Sequence, residues 1–275
     1  MNYRHAFHAG NFADCMKHAL LIWIVRALAR KPAPFRVLDT HAGAGAYDLG
    51  SAEARRGGEW QAGIGRLLDI REGPLAEYAT LAREAGAPAR YPGSPALVRA
   101  LLRPEDRLVC VELHGEEHAA LRARFRADPR VSVHRRGAWE ALRALTPFPE
   151  RRGLVLMDPP FEQPGEFERL SAGLALVSRR FRGAVQAAWY PVKHRAPVRA
   201  LHAAVEASGL RDVVAAELWL REPTDPARLN GCGLLVVNPP WGFEAEACNM
   251  LPALLERLGT GEPGQGWAVS RIAEE

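Results

Sequence analysis

The stretch FRVLDTHAGAG, residues 35–45, begins with a short apolar run, reaches an acid at Asp39 and continues into small residues and glycines. This order predicts a buried strand that ends in a glycine turn, where backbone amides can approach a ligand at the carboxyl edge of a sheet. A dinucleotide site would require G-x-G-x-x-G and an acid about 20 residues further on. Neither is present, so the turn around Gly43 predicts a ligand site of another kind.

Four further apolar runs follow the glycine turn, with helical stretches between them. They are RLVCVEL (107–113), VSVH (131–134), GLVLM (153–157) and GAVQAAW (183–189). Alternating buried strands and helices indicate an α/β protein with a parallel, doubly wound sheet. The last two runs, VVAAELWL (213–220) and GLLVV (233–237), are joined by a proline-containing link that is too short for a helical crossover. They are therefore predicted to form an antiparallel hairpin.

Two helix starts are visible in the sequence. Residues 11–30 predict an amphipathic helix that Asn11 caps, and Asp14 lies in its first turn, where an acid is favourable. Ser94, followed by a proline, predicts the start of another helix.

About sixty residues separate the glycine turn from the next predicted strand, which is more than a minimal sheet needs. Within them, Pro74 is expected to begin a helix and Gly86 to end it. We predict that residues 48–93 form a small helical insertion, and that residues 1–47 and 94–275 form the main domain.

The composition limits the possible classes of protein. The chain of 275 residues suits one large α/β domain. No segment offers about 18 uninterrupted apolar residues, and the N-terminus lacks a signal-peptide core, so we expect a soluble cytoplasmic protein without a membrane partner. Its four cysteines are scattered, which favours neither disulfides nor zinc. The net charge of +4 fits either codon bias in a G+C-rich genome or a polyanionic partner.

Two further acids are expected at the same edge of the sheet as Asp39. Glu112 follows the strand RLVCV, where a carboxylate can hold the ribose hydroxyls of a nucleoside ligand. Asp158 follows GLVLM and is succeeded by two prolines and Phe161. The glycine turn, Glu112 and this proline corner together resemble the class I S-adenosylmethionine-dependent methyltransferases.

The corner DPPF, residues 158–161, has a chemical rationale. Proline lacks an N–H and restricts the preceding residue, so the Asp158 carboxylate and the Pro159 carbonyl become two fixed acceptors beside the aromatic ring of Phe161. An exocyclic amine attacks poorly because its lone pair is delocalised. Two acceptors on its hydrogens favour a tetrahedral nitrogen, and stacking on the aromatic ring orients the base. The methyl donor is itself the electrophile, so no metal is expected.

A second corner, NPPW, occupies residues 238–241. Its strand is the return arm of the predicted hairpin, so Asn238 should lie at the opposite edge of the sheet. We predict a structural role for Asn238.

The run HGEEH, residues 114–118, satisfies the H-x-x-E-H pattern of some zinc enzymes. His114 directly follows a strand end, and Gly115 separates it from the helix that would carry His118. We therefore expect loop and helix-cap residues, without a metal.

The corner chemistry fits adenine-N6, guanine-N2 or a glutamine amide as the acceptor. The opening YRHAFHAGNFADCMKH is more specific. With DTHAGAG, YPGSP, VELH, DPPF and NPPW, in this order along nearly the whole chain, it resembles the RlmJ family of bacterial 23S ribosomal RNA adenine-N6 methyltransferases. The resemblance implies a Rossmann-like class I sheet with an antiparallel last strand and a small helical insertion, S-adenosyl-L-methionine as donor, and 23S rRNA or its large-subunit precursor as partner.

The resemblance also implies roles for individual residues. Predicted cofactor contacts are Lys17, His18, His41, Gly43, Ser94, Glu112, Arg136, Gly137 and Asp158. Predicted catalytic groups are Asp158, Pro159 and Phe161, and predicted substrate contacts are Tyr3, Arg4, His5 and Phe161. Two positions depart from the family pattern: Arg136 stands where Asp is frequent, and Phe161 where Tyr is common.

Two other functions compete with adenine-N6 methylation. A guanine-N2 RNA methyltransferase also uses an Asp-Pro-Pro-aromatic corner. An RNA-binding protein of the same fold without catalysis is the second alternative, although the intact Asp158 and the complete ligand edge disfavour it.

Overall fold

The computed structural model describes residues 5–274 of the chain. A short 3-10 helix, His5–Phe7, leads into α1, Phe12–Ala29. The Asn11 backbone is extended, and its side chain accepts a hydrogen bond from the Asp14 N–H at 3.0 Å, as the sequence predicts. The helix is less amphipathic than predicted, because the run ALLIWIV is apolar on every side. It packs against other helices as well as against the sheet.

Residues 5–274 contain ten strands, and eight of them form a central sheet. The strands in chain order are β1 (Arg36–Asp39), β2 (Ala46–Asp48), β3 (Arg90–Pro92), β4 (Arg107–Val111), β5 (Val131–His134), β6 (Gly153–Met157), β7 (Val185–Val192), β8 (Val213–Trp219), β9 (Gly231–Val237) and β10 (Gly266–Ala273). Across the large sheet the order is β10-β8-β9-β7-β6-β1-β4-β5, and β2 and β3 form a separate two-stranded sheet. All seven strands expected from the sequence are present.

Strand direction decides which residues share an edge. Across the sheet, the adjacent strands β5, β4, β1, β6 and β7 pair in parallel, whereas β9 is antiparallel to both β7 and β8. The predicted hairpin is therefore confirmed. Asp39, Glu112 and Asp158 end up at one edge and Asn238 at the other. The strand β10 was not predicted, and it pairs antiparallel with β8 at the end of the sheet.

Helices cover both faces of the sheet. In chain order after α1 they are α2 (Ala52–Gly57), α3 (Glu59–Ala62), α4 (Ala76–Glu84), α5 (Ser94–Leu101), α6 (Gly115–Phe125), α7 (Ala138–Leu145), α8 (Glu166–Arg180), α9 (Arg195–Ala207) and α10 (Phe243–Leu258), with a 3-10 turn at Ile64–Arg66. One apolar cluster lies between the sheet and α1, α5, α6 and α10. The other lies between the sheet and α7, α8 and α9. Within residues 5–274, no helix is both long and apolar enough to cross a membrane.

The segment between β1 and β4 is largely helical, and β2 pairs with β3 where it leaves and rejoins the main sheet. The helix predicted from Pro74 begins only at Ala76. The Ala76 N–H donates to the Gly73 carbonyl, so Pro74 occupies the second position of a β-turn, which also suits proline. Gly86 follows the helix with a φ of 111°, in line with its predicted role as a stop. The assignment of residues 48–93 as a separate insertion stays a prediction.

Candidate active site

Three carboxylates mark the carboxyl edge of the parallel strands: Asp39 at the end of β1, Glu112 after β4 and Asp158 after β6. Asp39 is fully buried. It accepts hydrogen bonds from the Ser94 hydroxyl at 2.6 Å and from the His41 N–H at 3.3 Å. Burial raises the pKa of Asp39 to about 6, although the bond from Ser94 opposes the rise. Ser94, a predicted cofactor contact, is thus bonded to Asp39 and braces the glycine turn.

The glycine turn is tied to Glu112. The two carboxylate oxygens of Glu112 accept hydrogen bonds from the backbone N–H of Gly43 at 2.9 Å and of His114 at 2.7 Å. Gly43 has a φ of 58°, and a side chain there would collide with the hydroxyl of Tyr47. The carboxylate is therefore held in one orientation, and each oxygen keeps a lone pair for a hydroxyl donor.

His41 connects the glycine turn to the proline corner. Its Nδ1 lies 3.2 Å from the Asp158 backbone nitrogen, which donates to it, and 2.9 Å from the Thr40 hydroxyl. Burial lowers the pKa of His41 to about 4, so the ring is neutral at pH 7. With Nδ1 as an acceptor, the ring proton resides on Nε2, which makes Nε2 a donor. The ring also meets Trp139 edge to face, at 5.8 Å between centroids.

The Asp158 carboxylate does not stand alone. Lys17 Nζ lies 2.5 Å from Asp158 Oδ2 and 2.8 Å from Asp14 Oδ1. Lys17 is only 4% exposed, so it is not the solvated residue that its place near a helix start suggests. Burial acts to lower the pKa of Lys17, but the two carboxylates outweigh it and raise this pKa above its ordinary value. The ammonium group is therefore charged at neutral pH and forms an ion pair with the Asp158 carboxylate.

Phe161 in the proline corner has more aromatic neighbours than the sequence indicated. Phe161 has a φ of 50°. Its ring lies 4.8 Å from that of Phe167 and 5.9 Å from that of Trp189 on β7. Pro159 is buried, and within residues 5–274 its carbonyl accepts no hydrogen bond, which leaves it available as an acceptor. Sequence reasoning missed Trp139 and Trp189, because lone tryptophans in apolar surroundings carry no distinguishing signal.

The other predicted contact on α1, His18, lies deeper. His18 is 1% exposed and bonds through Nδ1 to the Tyr91 hydroxyl at 2.7 Å, which meets the Tyr78 hydroxyl at 2.9 Å. Burial lowers the pKa of His18 to about 3, so it is neutral. Its predicted cofactor contact stays a prediction, since this histidine packs beneath the site among tyrosines.

His5 is directed at the same acid as Lys17. Its Nε2 lies 2.9 Å from Asp14 Oδ2, and its ring centroid is 4.9 Å from that of Tyr47. Burial acts to raise the pKa of Asp14, but His5 and Lys17 hold this pKa well below its ordinary value. The predicted substrate contacts Tyr3 and Arg4 lie outside the described residues.

Arg136 and Gly137 follow the edge strand β5. Gly137 precedes α7, and the Arg136 guanidinium lies 3.9 Å from the Glu140 carboxylate. The His134 carbonyl, at the end of β5, accepts the Glu112 N–H at 3.1 Å, so this segment borders the ligand edge. Contact of Arg136 and Gly137 with a cofactor stays a prediction.

The second proline corner, NPPW, has different surroundings from those of DPPF. The Asn238 side-chain amide donates to the carbonyls of Arg182 at 2.7 Å and Ala184 at 2.9 Å, just before β7 begins. Trp241 is 92% exposed, whereas Phe161 lies in an aromatic cluster. Asn238 thus fixes a loop at the edge opposite Asp158.

The HGEEH run spans the start of α6. His114 precedes α6 with an extended backbone, and His118 lies within the helix. Among residues 5–274, no group of three or more His, Cys, Asp or Glu residues is arranged to hold a metal ion.

The strand order, the antiparallel β9 between β7 and β8, and the acids at one edge define a class I methyltransferase fold. Residues 32–272 match a family model described as ribosomal RNA large subunit methyltransferase D, RlmJ. The chain belongs to this family, which confirms the resemblance found in its motifs.

Individual relatives match over their full lengths. Ribosomal RNA large subunit methyltransferase J of Escherichia coli strain K12 is 38% identical over 277 residues, which cover 98% of this chain and 99% of that protein. The protein of the same name from Haemophilus influenzae is 37% identical over 284 residues, which cover 100% of both chains. The crystal structure of protein LPL1258 from Legionella pneumophila is 29% identical, with a TM-score of 0.87, over 96% of this chain and 98% of that one.

Proposed function

We propose that this protein transfers a methyl group from S-adenosyl-L-methionine to N6 of an adenine in 23S rRNA. The observation that carries the proposal is the Asp158 corner: a carboxylate paired with Lys17, a proline carbonyl and an aromatic ring at the carboxyl edge of a class I methyltransferase sheet. Membership of the RlmJ family supports the choice of ribosomal RNA as the acceptor. We infer that the protein acts in the cytoplasm, where this RNA is found.

The residues at the glycine turn fit the proposed cofactor. Glu112 presents a fixed carboxylate to ribose hydroxyls, and His41 presents a neutral N–H donor at Nε2. When bound, the cofactor supplies an electrophilic methyl group on a sulfonium centre, which requires no metal. Because the methyl acceptor is neutral and the donor is positively charged, a site rich in carboxylates stabilises the donor side.

On the acceptor side, Asp158 and Pro159 position the adenine amine. Asp158 Oδ2 is bonded to Lys17, which leaves Oδ1 to accept one N6 hydrogen while the Pro159 carbonyl accepts the other. These bonds draw N6 toward tetrahedral geometry as its bond to the methyl carbon forms and the sulfur–carbon bond breaks. N6 carries the positive charge after transfer, passes its proton to Asp158 Oδ1, which already accepts that hydrogen, and becomes neutral. Phe161 stacks on the base and excludes water from the reacting atoms.

Nucleoside mass spectrometry tests the proposed function. Wild-type protein is incubated with unmodified 23S rRNA and labelled cofactor, and the RNA is then digested to nucleosides. We expect labelled N6-methyladenosine. Labelled N2-methylguanosine would instead establish the guanine alternative, and no labelled nucleoside, either on naked RNA or on large-subunit precursors, would contradict methyltransferase activity.

A first prediction concerns Glu112. A charge-assisted hydrogen bond contributes roughly 1.5–3 kcal/mol, so Glu112→Ala should weaken S-adenosylmethionine binding about tenfold or more. Titration calorimetry measures this directly. The control is Glu105→Ala, which removes an exposed acid at the start of β4, on the opposite edge of the sheet. An unchanged affinity in Glu112→Ala would remove this residue from the cofactor site.

A further inference from the structure

The loop that precedes α1, residues 5–11, is held by the helical segment between β2 and β3. The Glu59 carboxylate, at the start of α3, spans two residues of this loop: Oε1 lies 2.8 Å from His8 Nδ1, and Oε2 accepts the Asn11 side-chain amide at 2.9 Å. These bonds lower the pKa of Glu59, although partial burial opposes them, and the bond to Glu59 raises the pKa of His8. Both shifts favour the charged forms of the two side chains.

Backbone contacts fix the same loop. The Ile64 N–H donates to the Gly10 carbonyl at 2.8 Å. The Gly63 backbone packs so closely on Gly10 that a side chain at Gly63 would collide with its carbonyl, and a side chain at Gly57 would collide with the carbonyl of Phe7. The helical segment therefore sets the path of the loop along its whole length.

A chain of hydrogen bonds continues from this contact to the catalytic corner. Asn11, held by Glu59, accepts the Asp14 N–H at 3.0 Å. Asp14 accepts the Gly10 N–H at 2.9 Å and Lys17 Nζ at 2.8 Å, and Lys17 reaches Asp158. Glu59 is thus connected to the acceptor carboxylate through residues of the loop and of α1.

We propose that Glu59 is a positioning residue for methyl transfer: through His8 and Asn11 it fixes the loop that carries the predicted substrate contact His5, and so orients the acceptor base. The proposal rests on the proposed function for the identity of that base. It explains why a charged residue from outside the main sheet is bonded to the loop at two points. Because the carboxylate of Glu59 and the ring of His8 are 38% and 43% exposed, solvent screens the ion pair and it adds little to stability, so its role lies in geometry.

Glu59→Ala should slow methyl transfer and leave RNA binding nearly unchanged. Affinity for a long RNA is spread over many phosphate contacts, so the half-saturating RNA concentration should stay within about twofold of wild type. Orientation of the base is lost when the loop loosens, so the single-turnover rate at saturating RNA and cofactor should fall about tenfold. Glu59→Gln keeps a bond to Asn11 and loses only the charge, and it should remain within about threefold of the wild-type rate.

The chain offers a matched control. Arg26 on α1 and Glu77 on α4 form another exposed ion pair, at 2.6 Å. This pair also joins the N-terminal part of the chain to the helical segment between β2 and β3, but it lies near the end of α1 that is remote from the loop. Glu77→Ala should therefore leave the rate unchanged. Equal losses in Glu77→Ala and Glu59→Ala, or an unchanged rate in Glu59→Ala, would overturn the positioning role.

Hydrogen exchange provides a readout that does not depend on activity. In Glu59→Ala, amides of residues 8–11 should exchange at least about tenfold faster, while those of β1 and β6 keep their wild-type protection. If wild-type protein made no N6-methyladenosine but exchange still rose in this way, the proposed function would fail and the bracing of the loop by Glu59 would stand. Unchanged exchange would overturn the proposal even if the rate fell.

Discussion

Asp158→Ala should reduce single-turnover methyl transfer to 23S rRNA about 10²–10³-fold, the usual cost of losing one preorganised contact to a transition state. The lost interaction acts while N6 becomes tetrahedral, so the effect should appear in the maximal rate rather than in RNA affinity. Binding of S-adenosylmethionine is expected to change less, and it is measured separately by calorimetry. Circular dichroism establishes that the variant is folded.

The second proline corner provides the comparison. Asn238→Ala should leave the rate of folded protein nearly unchanged, because Asn238 lies at the opposite edge and bonds only the loop before β7. It should lower the melting temperature, since two hydrogen bonds are lost, each contributing about 1 kcal/mol, and alanine tolerates the φ of 50° less well than asparagine. If folded Asn238→Ala lost transfer while Asp158→Ala retained it, the catalytic corner would be NPPW.

The edge assignment of the two corners followed from the sequence because it depends on chain direction alone. The link between β8 and β9 is too short for a crossover, so β9 had to reverse, and Asn238 had to move to the far edge. The starts of α1 and α5 could also be predicted from the sequence, since Asn11 and Ser94 supply local signals. Strand β10 was missed although its apolar and polar residues alternate partly, because it follows the last helix and has no partner adjacent in sequence.

The buried ion pairs of the site could not be predicted from the sequence in the same way. Asp14 and Lys17 are three residues apart on one helix, a spacing that predicts an ion pair, but such pairs are usually exposed. Nothing in the sequence indicates that this pair is buried or that Asp158, 141 residues away, joins it. The bond between Glu59 and the loop before α1 is likewise a tertiary contact across 48 residues. Both arise from packing, which a single sequence does not encode in its spacing.

Lys17→Met should have the largest effect on stability. Lys17 and Asp14 have side chains only 5% and 3% exposed, so the variant removes the ammonium partner of a buried carboxylate, which keeps only its contact with His5. Removing one partner of a buried ion pair costs about 3–5 kcal/mol. Denaturant unfolding measures the loss. The control is Arg26→Met on the same helix, whose ion pair with Glu77 is exposed and should cost less than about 1 kcal/mol.

The pH dependence distinguishes an uncompensated charge from a simple packing defect. Asp14 has a depressed pKa in the folded wild type, so it contributes stability above its unfolded pKa, and that stability is lost only as the pH falls toward the folded value. Without Lys17 the pKa of folded Asp14 should rise, and lowering the pH from 8 to 5 should then narrow the gap between Lys17→Met and wild type. Adding Asp14→Asn should recover part of the loss at pH 8. A gap that is constant with pH and unaffected by Asp14→Asn would mean that Lys17 stabilises the fold through its alkyl chain and not through its charge.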